Sequence, residues 1–506
     1  MKNRFNLVDE PWIPVVGSDI GRVSLKELFL NTSIKSLTGN AIHKVALLKI
    51  FLAIAQRAYT PINDEDWFAV GSEGLAKRCV EYLENNKELF WLYGSKPFLQ
   101  KTDLLGLKDL NGKDIPLGIL GKDYPPDMML ENESVVFESQ QVEVLSDAEK
   151  AVFIITLMNY SLGGKRIIKN IPPWTKGYAG KTISAKGGPS IGNYEGYQNS
   201  HLLGESIIDT IWLNLFTRSQ LNKFPQWQND KLVPPWECFP TGEDDQAARQ
   251  LKGSFMSTLC AVSRFVLLHE KGIFYAEGLQ YPSHKDGWRE PFMTYQTSGD
   301  QRILWNNPNV KPWRNLPALL NTVFHTSEKS SFYSPQIGLL ILRARNARSS
   351  IGIWSGGLKV RTTSGDMSVK QSDDFIESSI FIETSHLGST WYSSLENEIL
   401  LLNEMERSLD RALRGYYKEF SIIKPQVLSK ALQMFWDLCG QYAQTLVNIC
   451  EDKEKMNSLR SLFMKFMNES YNKYCPNESA KQMIAWSKNI PFIPKGAFTK
   501  KEIIND

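Results

Sequence analysis

The chain has 506 residues, a formal net charge of +3, and 42% hydrophobic and 11% aromatic residues. That is apolar material enough for a large core of about two to four domains, and it excludes a mostly disordered chain. A net charge this small excludes arguing nucleic-acid binding from the total, so any such case rests on where the charges lie.

In chain order, FNLVDEPWIPVV (Phe5 to Val16) reads as a short strand entering a turn, with Pro11 and Pro14 around Trp12–Ile13. Val23 to Phe29 starts a helix with Ser24 as N-cap. Ala41 to Tyr59 reads as an amphipathic helix, with Val45, Leu48, Phe51, Leu52 and Ala55 on one face. A second helix runs from Trp67 to Glu84, and Phe90 to Gln100 is extended around Gly94–Ser95. Lys101 to Asp147 reads as loops and short strands. A buried helix spans Ala148 to Tyr160. The next 33 residues, Ser161 to Asn193, hold seven glycines, three prolines and no acid. Helices are expected again over His201 to Phe216 and Gln246 to His269. Strands are expected over Ile273 to Leu279, Phe292 to Gln296, Gly338 to Leu342 and Ile351 to Val360.

From about Thr390 the pattern is helical throughout. Apolar stripes run from Leu395 to Tyr417, Leu428 to Ile449 and Leu459 to Met467, and a shorter helix from Glu478 to Ser487. The predicted class is therefore α+β. A large mixed N-terminal domain with short strands and helices (residues 1–385) is followed by a C-terminal antiparallel four-helix bundle (386–506). No long apolar run precedes Asp9 and Glu10, and the longest, Val45 to Ala55, is broken by Lys49. A soluble, cytoplasmic chain without secretory signal or membrane contact is expected. The six cysteines form no CxxC pair, so reduced, mostly buried thiols are expected and zinc is not.

Catalytic motifs do not hold up. Gly177 to Thr182 ends like a phosphate-binding loop, but Thr175 stands where the required glycine belongs. Gly188 to Gly192 matches GxSxG without the apolar strand that motif needs. None of the six histidines pairs with another at metal-ligand spacing.

Charge segregation is the stronger signal. Residues 151–194 carry Lys165, Arg166, Lys169, Lys176, Lys181 and Lys186 and no carboxylate. Residues 329–365 carry Lys329, Arg343, Arg345, Arg348, Lys359 and Arg361, again with none. Lysine and arginine interleaved with glycine suit a polyanion backbone, and Arg166, Lys169, Lys176, Lys181, Lys186, Arg343, Arg345 and Lys359 are the expected phosphate contacts. The bland alternative is a solvated surface loop. The expectation is that both stretches converge on one cationic surface.

FNLVDEPWIPVV, VSLKELF, FWLYGSKPFLQ (Phe90 to Gln100) and GLQYPSHKDGWREPFMTY (Gly278 to Tyr295) together resemble the large subunit, or CasA family, of type I-E CRISPR Cascade complexes. The resemblance extends over essentially the whole chain. It implies a non-catalytic subunit, without cofactor or metal, that recognises the protospacer-adjacent motif (PAM) in double-stranded DNA. It also implies help in opening the duplex. The implied partners are a guide RNA, the DNA target, other Cascade subunits and a separate helicase–nuclease.

By the same resemblance, Gly163, Gly164 and Lys165 lie at the PAM's minor-groove edge, although a glycine pair also caps helices. Asn346, Ala347 and Arg348 fall at the wedge loop, with Arg348 where better-known members carry glutamine. Phe137, Glu138 and Ser139 fall at the guide-handle loop. The hairpin Gln296 to Asp300 lacks the family's PAM-reading lysine, for which Lys285 or Arg302 would substitute. Two other readings remain open: a nuclease or nucleotide-using enzyme with a split site, and a scaffold that binds only RNA.

Overall fold

The computed structural model describes residues 2–17, 21–108, 112–114, 117, 145–160, 196–242, 245–270, 272–279, 281, 289–297, 302–324, 332–363, 366–368, 375–422 and 424–493. Helices and small antiparallel sheets alternate through the first three-quarters of the chain and helices follow, as the α+β reading predicts.

The opening segment supplies strand Arg4–Asn6, which pairs with Trp91–Tyr93, and strand Ile13–Val16, which lies between Arg22–Val23 and Ser36–Leu37. Trp12 is fully buried, and its indole N–H donates to the Leu7 carbonyl at 2.9 Å. Gln100 donates to the Leu92 carbonyl at 2.7 Å and accepts from the Leu268 N–H at 2.8 Å. These motif residues close backbone groups that would otherwise be stranded in the core. Ser24 caps helix Leu25–Leu30 through a reciprocal pair with Glu27.

Helix Ala41–Ala58 is buried without a break from Val45 to Gln56. The amphipathic expectation was too modest, since a helix apolar on all sides belongs inside a large core.

Three predicted elements change type. His201 lies in strand Asn199–Leu203, and the helix begins only at Ile207, where Ser206 caps it. Arg264–His269 is a strand paired with Gly272–Glu277, after two short helices, Gln246–Lys252 and Met256–Leu259, separated by Gly253. Gly338 to Leu342 belongs to helix Pro335–Ala347, which starts with proline at its first position. Short apolar runs do not separate strand from buried helix by period alone, and these are such runs.

Five helices, not four, are described beyond residue 385: Ser389–Lys418, Pro425–Gly440, Ala443–Ile449, Lys453–Tyr474 and Ala480–Lys488. The second expected helix is divided between Gly440 and Ala443. Apolar packing runs continuously across residue 385. There the Arg314 guanidinium lies 3.3 Å from the Trp436 ring centre and pairs with Glu406 at 2.7 Å. All six cysteines are free, five of them buried, with Cys238 exposed. Burial pushes the Cys260 thiol up to about 12. Among the described residues no helix is long and apolar enough to cross a membrane.

Strand Ser350–Leu358 organises the middle of the molecule. It lies between strands Asn199–Leu203 and Phe375–Glu383, antiparallel to both. It is buried from Ile351 to Leu358, whereas Phe375–Glu383 alternates between buried and exposed residues.

Candidate nucleic-acid interface

Tyr160 and Gly196, the described residues on either side of the glycine-rich segment, both rest on this central strand. Tyr160 ends helix Asp147–Asn159, is fully buried, and packs with Trp354, Leu358 and Val360 and with Ala41, Ile42 and Val45. Gly196, where the chain is next described, has φ +73°, and a Cβ there would lie 1.9 Å from the Leu358 carbonyl oxygen. Only glycine fits that approach. The Asn306 amide donates to the Gly196 and Tyr197 carbonyls, each at 2.9 Å, and holds the return in place. Tyr160 and Gly196 thus both lie beside the end of the strand that leads into Lys359. Lys359 is half-buried and has no carboxylate partner among the described residues.

A buried ion pair braces this anchor. Lys49 and Glu290 are both fully buried and bonded to each other, and the Tyr197 hydroxyl donates to Glu290. The Lys49 ammonium also lies 5.0 Å from the Phe292 ring centre. Burial pushes the Lys49 amine well below the ordinary lysine value. The sequence signal was present: a lone lysine within the apolar run Val45 to Ala55, and a glutamate within the segment Gly278 to Tyr295. His201, one residue pair along the sheet, stacks on Trp354 at 4.9 Å, and burial lowers its pKa to about 3.

The corner between helix Pro335–Ala347 and the central strand holds the remaining described candidates. Here the structure corrects one expected contact. Arg343 is not presented to solvent: its side chain is 4% exposed, pairs with Asp64 at 3.2 Å and bonds to Gln220. Burial pushes its guanidinium down to about 10. It sits 4.1 Å from the centre of Trp67. Trp67 stacks on Trp212 at 3.9 Å and 3°. Arg348 covers the outer face of Trp212 at 4.7 Å and forks onto Asp209, with Nε 3.1 Å from Oδ2 and Nη2 on Oδ1. The result is a four-layer stack of arginine, tryptophan, tryptophan and arginine, each cation also held by a carboxylate. Arginine suits both roles because its flat fork stacks and pairs at once. The Arg348 guanidinium is thus engaged by Asp209 and Trp212, with its side chain 27% exposed.

Arg345 is exposed and donates to the Leu387 carbonyl at 3.0 Å. Asn346 is exposed, and Ala347 is half-buried. Glu383, exposed, pairs in register with Ser350 and sets a carboxylate beside the corner. The corner and the anchor stand at opposite ends of the nine-residue central strand, roughly 26 Å apart at 3.3 Å per residue. Among the described residues the corner and the anchor therefore stand as two separate places on one strand.

Gly163, Gly164, Lys165, Arg166, Lys169, Lys176, Lys181, Lys186, Phe137, Glu138, Ser139 and Lys285 lie outside the described residues. So do Gly177 to Thr182 and Gly188 to Gly192. Among the described residues no three His, Cys, Asp or Glu side chains are grouped to hold a metal. Sequence reasoning missed Asp209 and the tryptophan pair because their partners lie more than a hundred residues away.

A family model described as CRISPR-associated protein Cse1 matches residues 6–469. A curated relative, CRISPR-associated protein CasA/Cse1 of Thermus thermophilus, is 32% identical over 110 residues, which are 20% of this chain and 22% of that protein. Among solved structures, Thermobifida fusca Cse1 superposes with a TM-score of 0.71 at 18% identity, covering 96% of each chain. Thermus thermophilus CasA gives 0.64 at 15% identity, covering 96% of this chain and 98% of that one. These structural likenesses speak to the fold.

Proposed function

The chain belongs to the CRISPR-associated Cse1 family, the large subunit of type I-E Cascade, and from that membership we propose that it recognises a short PAM in double-stranded DNA and helps open the duplex for guide pairing. The supporting observation is that Tyr160 and Gly196, on either side of the glycine-rich segment, both rest on the strand leading into Lys359. Gly163, Gly164 and Lys165 then approach the groove edge, where a main chain without side chains comes closest. Arg166, Lys169, Lys176, Lys181, Lys186 and Lys359 neutralise phosphates. Of the expected phosphate contacts, Arg343 is left out because its guanidinium is buried and paired with Asp64, and Arg345 because it stands at the other end of the strand with its guanidinium on the Leu387 carbonyl. A duplex laid along the 26 Å strand covers about eight base pairs at 3.4 Å each.

Phe137, Glu138 and Ser139 take the guide-RNA handle. The helices of residues 386–506 act as an antiparallel bundle toward neighbouring subunits, and a separate helicase–nuclease docks on the protein. The chain itself hydrolyses nothing, since its phosphate-binding stretches lack the carboxylates a metal-dependent nuclease needs.

The test is reconstitution of the guide-bound complex with this chain, followed by duplex binding between roughly 50 and 200 mM salt. Six phosphate contacts give a log–log slope of about −5. Binding should prefer a PAM-bearing duplex, and Gly163→Asp should weaken it. Equal affinity with and without the motif, or metal-dependent cleavage by the chain alone, overturns the proposal.

A further inference from the structure

We infer that Asp209 is a positioning residue for the corner at 345–349, holding Arg348 as an internal strut so that Asn346 is the side chain that meets a base edge. This rests on the DNA-recognition reading above.

The corner's backbone is fixed from every side. The Arg348 N–H donates to the Ala344 carbonyl at 3.0 Å, and Arg348 Nη1 donates to the Ala347 carbonyl at 2.8 Å. The Thr384 hydroxyl donates toward the Arg348 and Ser349 carbonyls at 2.8 and 3.0 Å, and the Thr384 N–H donates to Ser349 at 2.8 Å. Asp209, whose side chain is 5% exposed, carries the fork that fastens this unit to Trp212. Asp209 is held in turn: its N–H donates to Ser206 at 3.2 Å, and its Oδ2 accepts from the Glu205 N–H at 3.1 Å. A Cβ on Gly204 would lie 2.3 Å from that oxygen, so the loop closes over the carboxylate only with glycine.

What remains unengaged is Asn346, exposed and without a partner among the described residues. Its amide offers donors and an acceptor, as a base edge requires. The electrostatics disfavour a phosphate here. The corner is the negative end of a helix, Glu383 is in register with Ser350 beside it, Arg348 is neutralised, and the exposed Arg345 already donates to the Leu387 carbonyl. The corner therefore suits reading, while Lys359 and the stretch anchored beside it suit gripping.

The experiment uses the assembled complex and a duplex library randomised at the base pairs flanking the guide-matched segment. Enrichment of the preferred flank over the pool reports reading, and the salt slope on the unselected pool reports gripping. Asn346→Ala and Asp209→Asn should each lower enrichment about tenfold, in the range of one lost base contact, and leave the slope unchanged. In the Asn346→Ala background, Asp209→Asn should add nothing further. Arg348→Lys, which keeps the charge but loses the fork, should match Asp209→Asn and serves if that variant fails to assemble. Additive losses of Asp209→Asn and Asn346→Ala would make Asp209 a fold element only and overturn the inference. A slope flattened by about one in Arg348→Ala, which removes the charge, would make Arg348 a phosphate contact and overturn it too. A wild-type complex that enriches no flank instead fails the DNA-recognition reading beneath it.

Discussion

Lys49→Met leaves the Glu290 carboxylate fully buried with only the Tyr197 hydroxyl for company. Removing one member of a buried pair costs about 3–5 kcal/mol, because the remaining charge is uncompensated. Unfolding entropy is about 2.1 cal/mol/K per residue near 60 °C, so 506 residues unfolding together give about 1 kcal/mol/K. The expected loss is thus about 3–5 °C in Tm at neutral pH. The sign of its pH dependence follows from the stranded acid. Its folded pKa rises above the unfolded value, so the folded state of the variant holds a proton the unfolded state releases. The deficit is full at pH 7 and narrows as pH falls toward about 4.3. Glu290→Gln in the Lys49→Met background removes the charge but keeps an acceptor for Tyr197, and should recover at least about 2 kcal/mol. Calorimetry of both single variants and the double variant decides the matter. Single-variant losses that simply add, within about 0.5 kcal/mol, would refute the idea that the two charges support each other.

Two further outcomes are expected. His201 has a folded pKa of about 3 against an ordinary 6.5, so the unfolded chain takes up a proton that the native one refuses. Its contribution is complete above about pH 6.5 and fades by about 1.4 kcal/mol per pH unit as pH falls toward 3. His201→Phe keeps a ring on Trp354 and should flatten the acid limb of Tm against pH; an unchanged limb counts against a buried neutral imidazole. Gly196→Ala forces a Cβ into the Leu358 carbonyl at a positive φ, and should cost about 1–3 kcal/mol and displace the return of the chain. Hydrogen exchange at Gly357 to Val360 should rise in that variant, and native-like protection there would show the contact to be slack.

The helices with clear ends were legible. Ser24 announced its helix as an N-cap, and the stripe from Leu395 to Tyr417 lies within helix Ser389–Lys418 and ends one residue short of it. The three changes of type share a cause. GLLIL and FVLL are apolar in every period and NSHLL is too short to show one, so only their partners decide between helix and strand. The site divides along the same line. Charge is additive along a sequence, so the acid-free stretches were visible. Whether an arginine faces outward depends on acids such as Asp64 and Asp209, which are 279 and 139 residues from their partners. Arg343 thus looked like a phosphate contact and Arg348 like a wedge residue, and both flank a tryptophan pair.

The central strand also sets an order of events at the ribosome. Strand Asn199–Leu203 has its ladder partner only in Ser350–Leu358, about 150 residues later, which at 5–20 residues per second means about 7–30 s of synthesis. Through that interval Tyr160 and Gly196 have no seat, and the apolar flank of Ala41–Val45 has no cover. The newborn chain therefore cannot assemble its anchor piecemeal. Tyr160 and Gly196, which bound the glycine-rich basic segment, are both seated only once translation has passed residue 360.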